Sequence, residues 1–140
     1  MMFDGIYRLE CQMITIRSFE DVTSAIIRVN ELSGRAGLSV IEKSSVMTAV
    51  SELTNNILKY AKKGSLTMAI IQTRTGRGIE IVAEDHGPGI ADIQMAMRDH
   101  YSESGTLGLG LPGSKRLMDE FVLWSEVGAG TRVTARKWKS

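Results

Sequence analysis

The sequence predicts an α/β two-layer sandwich, in which helices cover a mixed, mostly antiparallel sheet. Its 140 residues are enough for one domain with a substantial core, but they would hardly suffice for two full domains. Two helical segments follow one another early in the chain, and most of the later strands are joined as hairpins. This order is typical of a sheet with helices packed on it. We therefore expect residues 1–140 to form a single domain.

The first half of the chain is predicted to form a strand and two helices. Residues 12–17 alternate enough for a short strand. Ser18 precedes two acidic residues and is suited to cap a helix whose apolar side chains recur every three or four residues. Ser39 and Glu42 have the spacing of a capping box, so a second helix is expected from there to Ala61.

The second half is predicted to consist mainly of strands. Four segments have the apolar pattern of strands: residues 66–73, 79–85, 121–127 and 131–138. Short glycine-containing turns separate the first two and the last two, which predicts two hairpins. Between the hairpins, residues 86–110 are rich in turn formers, and residues 111–119 suit a short helix with Pro112 in its first turn.

Composition argues against several classes of function. A hydrophobic fraction of 43% is ordinary for a globular domain, and no apolar run approaches the ~18 residues that span a bilayer. The formal net charge of +1 gives no electrostatic argument for nucleic acid or a membrane surface. No signal peptide is visible and Cys11 has no partner in the chain, so a cytoplasmic location is expected.

One flank of the second helix carries residues suited to phosphate chemistry. Glu52, Asn56 and Lys59 form a row beside the apolar stripe of the helix. The amide oxygen of Asn56 is a hard ligand that suits Mg²⁺, and Lys59 can meet a phosphate. The carboxylate of Glu52 can accept a proton from a nucleophile. The alternative is a solvated flank on which Glu and Lys side chains pair.

The strand at 79–85 ends on a carboxylate that needs a partner. Asp85 shares its strand face with apolar side chains, where an ionised carboxylate is costly unless something binds it. The amino group of a ligand is one candidate. Gly87 and Gly89 follow, so the backbone there can approach a ligand closely. The alternative is a strand that ends in a tight turn.

Two further glycine-rich segments occur, one before the short helix and one in the turn of the last hairpin. Gly105, Gly108 and Gly110 precede that helix, a spacing that can form a cradle of backbone N–H groups for phosphates. The residue order fits neither a P-loop nor a Rossmann fingerprint. Thr131 follows a glycine turn on an apolar strand face, so its hydroxyl is expected near Asp85 if the two strands are neighbours. An ordinary strand threonine is the alternative.

Together, these four segments resemble the GHKL (Bergerat) ATP-binding fold of histidine-kinase catalytic domains and type II topoisomerases. Residues 52–60 resemble the N box, and residues 85–90 have the D-x-G-x-G pattern of the G1 box. Residues 105–110 resemble the G2 box, and residues 128–131 the last glycine–threonine element. Because four motifs occur in the right order, the match is specific. It implies that the domain binds ATP together with Mg²⁺.

Longer stretches closely resemble RsbT-type switch kinases, small cytoplasmic protein serine/threonine kinases of bacterial stress signalling. The resemblance covers nearly the whole chain from about residue 12. It implies that the substrates are serine or threonine residues of STAS-domain antagonist and scaffold proteins of a stressosome. It also implies a second partner, a PP2C-type phosphatase that the released kinase activates. Related anti-sigma kinases instead bind and hold a sigma factor, which is the alternative function.

The resemblance also implies roles for individual residues. Glu52 matches the general base for the substrate hydroxyl, Asn56 the magnesium ligand, and Lys59 a base that contacts phosphate. Asp85 matches the acceptor of the adenine amino group, and Thr131 a water-linked adenine contact. The remaining nucleotide contacts are expected from the two glycine boxes: Gly87, Gly89, Ile90, Gly105, Gly108 and Gly110.

Two questions stay open in the sequence. Some anti-sigma kinases carry an arginine ahead of the G2 glycines that reaches the γ-phosphate, whereas this chain has Thr106 and Leu107 there. The candidate cations are Arg98, Lys115 and Arg116. A detached histidine-kinase catalytic domain is a further alternative. It is disfavoured because the roughly 17 residues before the first helix leave no room for a segment that carries a phosphoacceptor.

Overall fold

The structure is a computed structural model that describes residues 4–92, 97 and 110–140. In these parts of the chain, the elements are β1 (Tyr7–Ile16), α1 (Phe19–Arg35), α2 (Val40–Asn56), a π-helical turn (Ile57–Ala61), β2 (Gly64–Gln72), β3 (Arg77–Asp85), α3 (Leu111–Leu117), β4 (Glu120–Glu126) and β5 (Gly130–Trp138). Helices pack on one face of a single sheet. The predicted two-layer α/β sandwich is therefore confirmed.

The five described strands lie in the order β1-β2-β3-β5-β4. All four pairings between them are antiparallel, whereas a mixed sheet was expected. The connection from β3 through α3 places β4 at the far edge, and β5 then turns back into the gap between them. Because β5 separates β3 from β4, the two strands that could have paired in parallel do not touch.

Both long helices begin at the predicted caps. The side chain of Ser18 accepts a hydrogen bond from the backbone of Asp21 at 3.4 Å. Ser39 and Glu42 form the capping box: the Glu42 N–H donates to Ser39 Oγ at 3.1 Å, and the Ser39 N–H donates to Glu42 Oε1 at 2.8 Å. The core stripe of the second helix is also confirmed, since its residues are at most 3% exposed: Val46, Val50, Leu53 and Ile57.

Two elements differ from the prediction. Strand β1 begins at Tyr7 rather than near residue 12, and a register shift between Leu9 and Gln12 interrupts its alternation. Glu10 has a positive φ of 50° at this bulge, which hides the strand from a period-two pattern. The second helix does reach Ala61, but its last five residues form the π-helical turn.

The face of the sheet opposite the helices carries a buried charge cluster. Glu80 is only 6% exposed and accepts hydrogen bonds from Arg8 Nε at 2.8 Å and Arg136 Nε at 2.9 Å. Burial opposes ionisation of Glu80, but the two guanidinium groups outweigh it and lower the pKa of this carboxyl. The cluster joins β1, β3 and β5. No helix among the described residues is long and apolar enough to cross a membrane.

Candidate functional site

The polar flank of α2 leads to the start of α3. Glu52 lies on the exposed side of α2, with its carboxylate against the backbone of Gly110. A Cβ atom at Gly110 would collide with Oε2 of Glu52, and its φ of +70° also favours glycine. No hydrogen bond or ion pair from the described residues holds the carboxylate. Glu52 is therefore exposed beside the start of α3, where a substrate can reach its carboxylate.

The next residues of the predicted row lie at the end of α2. Asn56 is half-buried at the last position of the helix, and Lys59 is exposed on the π-helical turn. The Lys59 ammonium lies 5.3 Å from the centre of the Tyr60 ring. The neighbouring amide of Asn55 is held to its own helix, since its Nδ2 donates to the Ser51 carbonyl at 2.8 Å. Asn56 is thus the asparagine of the pair that continues the row.

Strand pairing brings Asp85 and Thr131 together. The two residues are register partners in β3 and β5, which confirms that their strands are neighbours. On its other side Asp85 pairs with Gly64, which carries no side chain. The carboxylate is half-buried, and its Oδ1 accepts a hydrogen bond from the Gly87 N–H at 2.8 Å. One carboxylate and one hydroxyl therefore share the end of the sheet.

The loop after β3 is attached to the turn between β4 and β5. The Gly128 N–H donates to the Pro88 carbonyl at 2.9 Å. Gly89 has a φ of +77°, and a Cβ atom there would collide with the carbonyl oxygen of Glu126. The backbone at Gly89 thus comes closest to another part of this chain, the start of the turn between β4 and β5. This contact is a packing reason for glycine at position 89. That Gly87 and Gly89 contact a nucleotide stays a prediction.

Ser125 joins this loop to Thr131. Its Oγ accepts a hydrogen bond from the Ile90 N–H at 2.7 Å, donates to the Gly130 carbonyl at 2.9 Å, and lies 2.9 Å from Thr131 Oγ1. Because its one hydrogen is committed to the carbonyl, the Thr131 hydroxyl is the donor in the third bond. Ser125 was not among the site residues predicted from the sequence. The sequence holds one indication of its importance: Ser125 occupies the strand face whose other positions, Phe121 and Leu123, pack against the core.

The α2 helix and its π-helical turn connect the two halves of the site. Gly87 lies against the end of the π-helical turn, where a Cβ atom would come within 2.6 Å of Ala61 Cβ. Gly110 lies against Glu52 at the other end. With a rise of about 1.5 Å per residue, the two contacts are roughly 13 Å apart along the helix. Asn56 and Lys59 lie between these two contacts along the helix, which therefore connects the start of α3 to the loop after β3.

Some predicted positions lie outside the described residues, among them Gly105, Gly108 and Arg98. Lys115 and Arg116 are exposed on α3. Within the described residues, no group of three or more His, Cys, Asp or Glu could hold a metal ion. A single amide oxygen such as that of Asn56 fits Mg²⁺, which is usually bound through few protein ligands together with water and substrate phosphates.

Comparison with known proteins agrees with this geometry. The family model of the histidine kinase-like ATPase domain matches residues 18–137, so the chain belongs to that family. The chain is 44% identical over 118 residues to the serine/threonine-protein kinase RsbT of Bacillus subtilis (strain 168), an alignment that covers 84% of this chain and 89% of RsbT.

It is also similar to anti-sigma F factors. It is 29% identical over 140 residues to that of Clostridium kluyveri (strain NBRC 12016), covering 97% and 96% of the two chains. It is 34% identical over 101 residues to that of Clostridium novyi (strain NT), covering 69% and 71%. The resemblance to GHKL-type ATPases and to RsbT-type kinases is thereby confirmed.

Proposed function

We propose that this chain is an ATP-dependent protein serine/threonine kinase of a bacterial partner-switching system. It transfers the γ-phosphoryl group of ATP to a serine or threonine of a STAS-domain antagonist or scaffold protein. The observation that carries the proposal is the accessible carboxylate of Glu52, one helical turn from Asn56, on a helix whose end contacts the loop that follows Asp85. The similarity to RsbT supports the same class of reaction.

In this proposal, the end of the sheet binds the adenine ring. Asp85 accepts a hydrogen bond from the adenine amino group, and the Thr131 hydroxyl reaches the ring through a water molecule. Guanine presents a carbonyl oxygen where adenine has its amino group, so it would leave the carboxylate without a donor. The glycine-rich segments and Ile90 border the nucleotide, and Lys59 contacts its phosphates.

The helix flank performs the transfer. Asn56 contributes its amide oxygen to Mg²⁺, which neutralises charge on the phosphates when bound. Glu52 accepts the proton of the substrate hydroxyl as that oxygen forms its bond to the γ-phosphorus. The bond from this phosphorus to the bridging oxygen breaks, and its electron pair leaves with ADP. The protein mainly supplies position and charge, which is what phosphoryl transfer requires.

The proposal includes the switch between partners. After phosphorylating the STAS-domain protein in the cytoplasm, the released kinase activates a PP2C-type phosphatase. A second candidate function is favoured by the similarity to anti-sigma F factors: sequestration of a sigma factor, with phosphorylation as the secondary step. The two functions differ in whether a sigma factor binds the chain directly.

The test is a single-turnover assay with γ-labelled ATP, Mg²⁺ and candidate STAS-domain proteins. Label on serine or threonine of one of them is the expected result. Glu52→Gln should slow transfer about 10²–10⁴-fold while ATP still binds, because it removes only the proton acceptor. Asn56→Ala should weaken Mg²⁺-dependent ATP binding as well as transfer. Transfer by Glu52→Gln at the unaltered rate would refute the assigned base.

A binding assay separates the two candidate functions. In the kinase proposal, Glu52→Gln retains its partners, because docking surfaces lie outside the nucleotide pocket. Calorimetry with a purified sigma factor should give no binding. Tight sigma-factor binding together with no transfer to any STAS-domain protein would favour the anti-sigma alternative instead.

A further inference from the structure

An open groove runs between α1 and α2 and ends at Glu52. Its volume is about 480 Å³, and α2 supplies most of its lining, including Val40, Met47, Thr48 and Glu52. Ile26 lines it from α1. The lining positions on α2 recur about every four residues, so they share one face of the helix. From Val40 to Glu52 that face is about 18 Å long.

The groove has an apolar floor and polar walls. Ile26 and Met47 form the floor: both are half-buried and pack against the hydrophobic core. Val40 is 77% exposed at the end far from Glu52, although it is a large apolar residue. Thr48 is exposed beside the floor, and Lys43 adds a positive charge to the lining. An apolar strip with polar edges on a helix surface is typical of a protein-binding site.

The groove and the nucleotide region lie on opposite sides of Glu52 along the chain. The residues assigned to ATP and Mg²⁺ follow Glu52, toward Asn56 and the end of the π-helical turn. The groove residues precede Glu52, back toward Val40. A proton acceptor for phosphoryl transfer must lie within hydrogen-bond distance of the incoming hydroxyl, whose oxygen lies directly against the γ-phosphorus. The nucleotide residues take up one side of Glu52, so the polypeptide that carries the hydroxyl has the other side, where the groove lies, for its approach.

We infer that this groove binds the polypeptide segment of the protein substrate that carries the phosphorylated serine or threonine. The inference rests on the proposed function, because that function makes Glu52 the proton acceptor. The hydroxyl must come within about 2.6–3.2 Å of Glu52, and the 18 Å of groove beyond it can hold about five residues of extended chain. Met47 and Ile26 offer contacts for an apolar side chain. Lys43 favours an acidic residue near the far end of that segment.

A matched pair of substitutions tests the groove without entering the catalytic residues. Val40 and Ile41 are adjacent, 77% and 79% exposed, and lie in the first turn of α2, but only Val40 lines the groove. An aspartate at either position suits the first turn of a helix, so both variants should fold. Val40→Asp should raise the KM for the acceptor protein at least fivefold. Ile41→Asp should change it less than twofold.

A third variant probes the groove closer to the reaction. Thr48→Arg places a long charged side chain beside the floor, one turn from Glu52, and should raise the same KM tenfold or more. The KM for ATP should stay within twofold in every variant, because the nucleotide residues are on the other side of Glu52. The acceptor protein is the STAS-domain protein that the labelling assay identifies. A photo-crosslinking residue at position 48 should label the acceptor peptide that contains the phosphorylated residue.

The outcomes separate the groove from the proposed function. If the unaltered chain phosphorylates its acceptor but both groove variants keep its KM, the groove inference is overturned and the kinase proposal stands. If Thr48→Arg raises the KM for ATP as much as that for the acceptor, the groove belongs to the nucleotide or to residues 98–109 of this chain, and the inference again fails. If the unaltered chain transfers no phosphate to any protein, both proposals fall.

Discussion

Removal of the Ser125 hydroxyl should loosen the adenine side of the site. Ser125→Ala deletes three hydrogen bonds at once, to the Ile90 N–H, the Gly130 carbonyl and the Thr131 hydroxyl. At about 1 kcal/mol net for each bond, the upper bound is about 3 kcal/mol of unfolding free energy. Because Ser125, Ile90 and Thr131 are only half-buried, water replaces part of what is lost, and the lower bound is about 1 kcal/mol.

The change should be visible in two measurements. Urea denaturation should give a free energy of unfolding that is lower by about 1–3 kcal/mol with an unchanged slope. Calorimetry should show roughly fivefold weaker ATP binding, equivalent to about 1 kcal/mol, since Thr131 loses its acceptor and the 86–90 loop its attachment. Thr134→Val, which removes a hydroxyl from the opposite face of β5, is the control and should change neither quantity much. Equal stability and ATP affinity in Ser125→Ala and the control would refute the reasoning.

Three further predictions follow from the structure. Asp85→Asn should weaken ATP binding while the circular dichroism spectrum is retained, and the unaltered chain should prefer ATP to GTP; equal calorimetric affinities for the two nucleotides would refute the role of Asp85. Gly89→Ala adds a Cβ atom that collides with a backbone carbonyl, so denaturant titrations should give a free energy of unfolding that is lower by about 1–3 kcal/mol. Gly34→Ala is the control: it lies on a helix with open space around it and should raise the free energy of unfolding by about 0.5–1 kcal/mol. Hydrogen bonds from the backbone N–H groups of Ser39 and Ser140 lower the pKa of Glu42 from 4.5 to about 2. The ionised carboxylate therefore stabilises the fold fully above pH 4.5, and this stabilisation is lost as the pH falls toward 2. The unaltered chain should be more stable than Glu42→Gln by about 1–2 kcal/mol at neutral pH, and this difference should disappear between pH 4.5 and 2; a difference that stays constant would contradict the prediction.

Only part of the candidate site could be predicted from the sequence. Glu52, Asn56 and Lys59 could be placed on one flank because residues three and four apart on a helix are neighbours whatever the rest of the fold does. Asp85 could be placed at a strand end for the same local reason. That Asp85 would lie opposite Thr131 was conditional, because it depended on β5 entering the sheet beside β3. Ser125 was missed, since its three partners are distant in the chain or come from the opposite strand.

The sequence by itself determined the starts of both long helices and the presence of the strands, although not the first part of β1 or the π-helical turn. Ser18 and the Ser39–Glu42 box set the starts of the helices through hydrogen bonds that span three residues, so local chemistry suffices. The tertiary structure alone decided the strand order, the antiparallel pairing throughout and the groove between α1 and α2. It also placed Glu80 between two arginines that are remote in the chain. Such arrangements depend on which surfaces are buried together, a balance over the whole molecule that no short stretch of sequence contains.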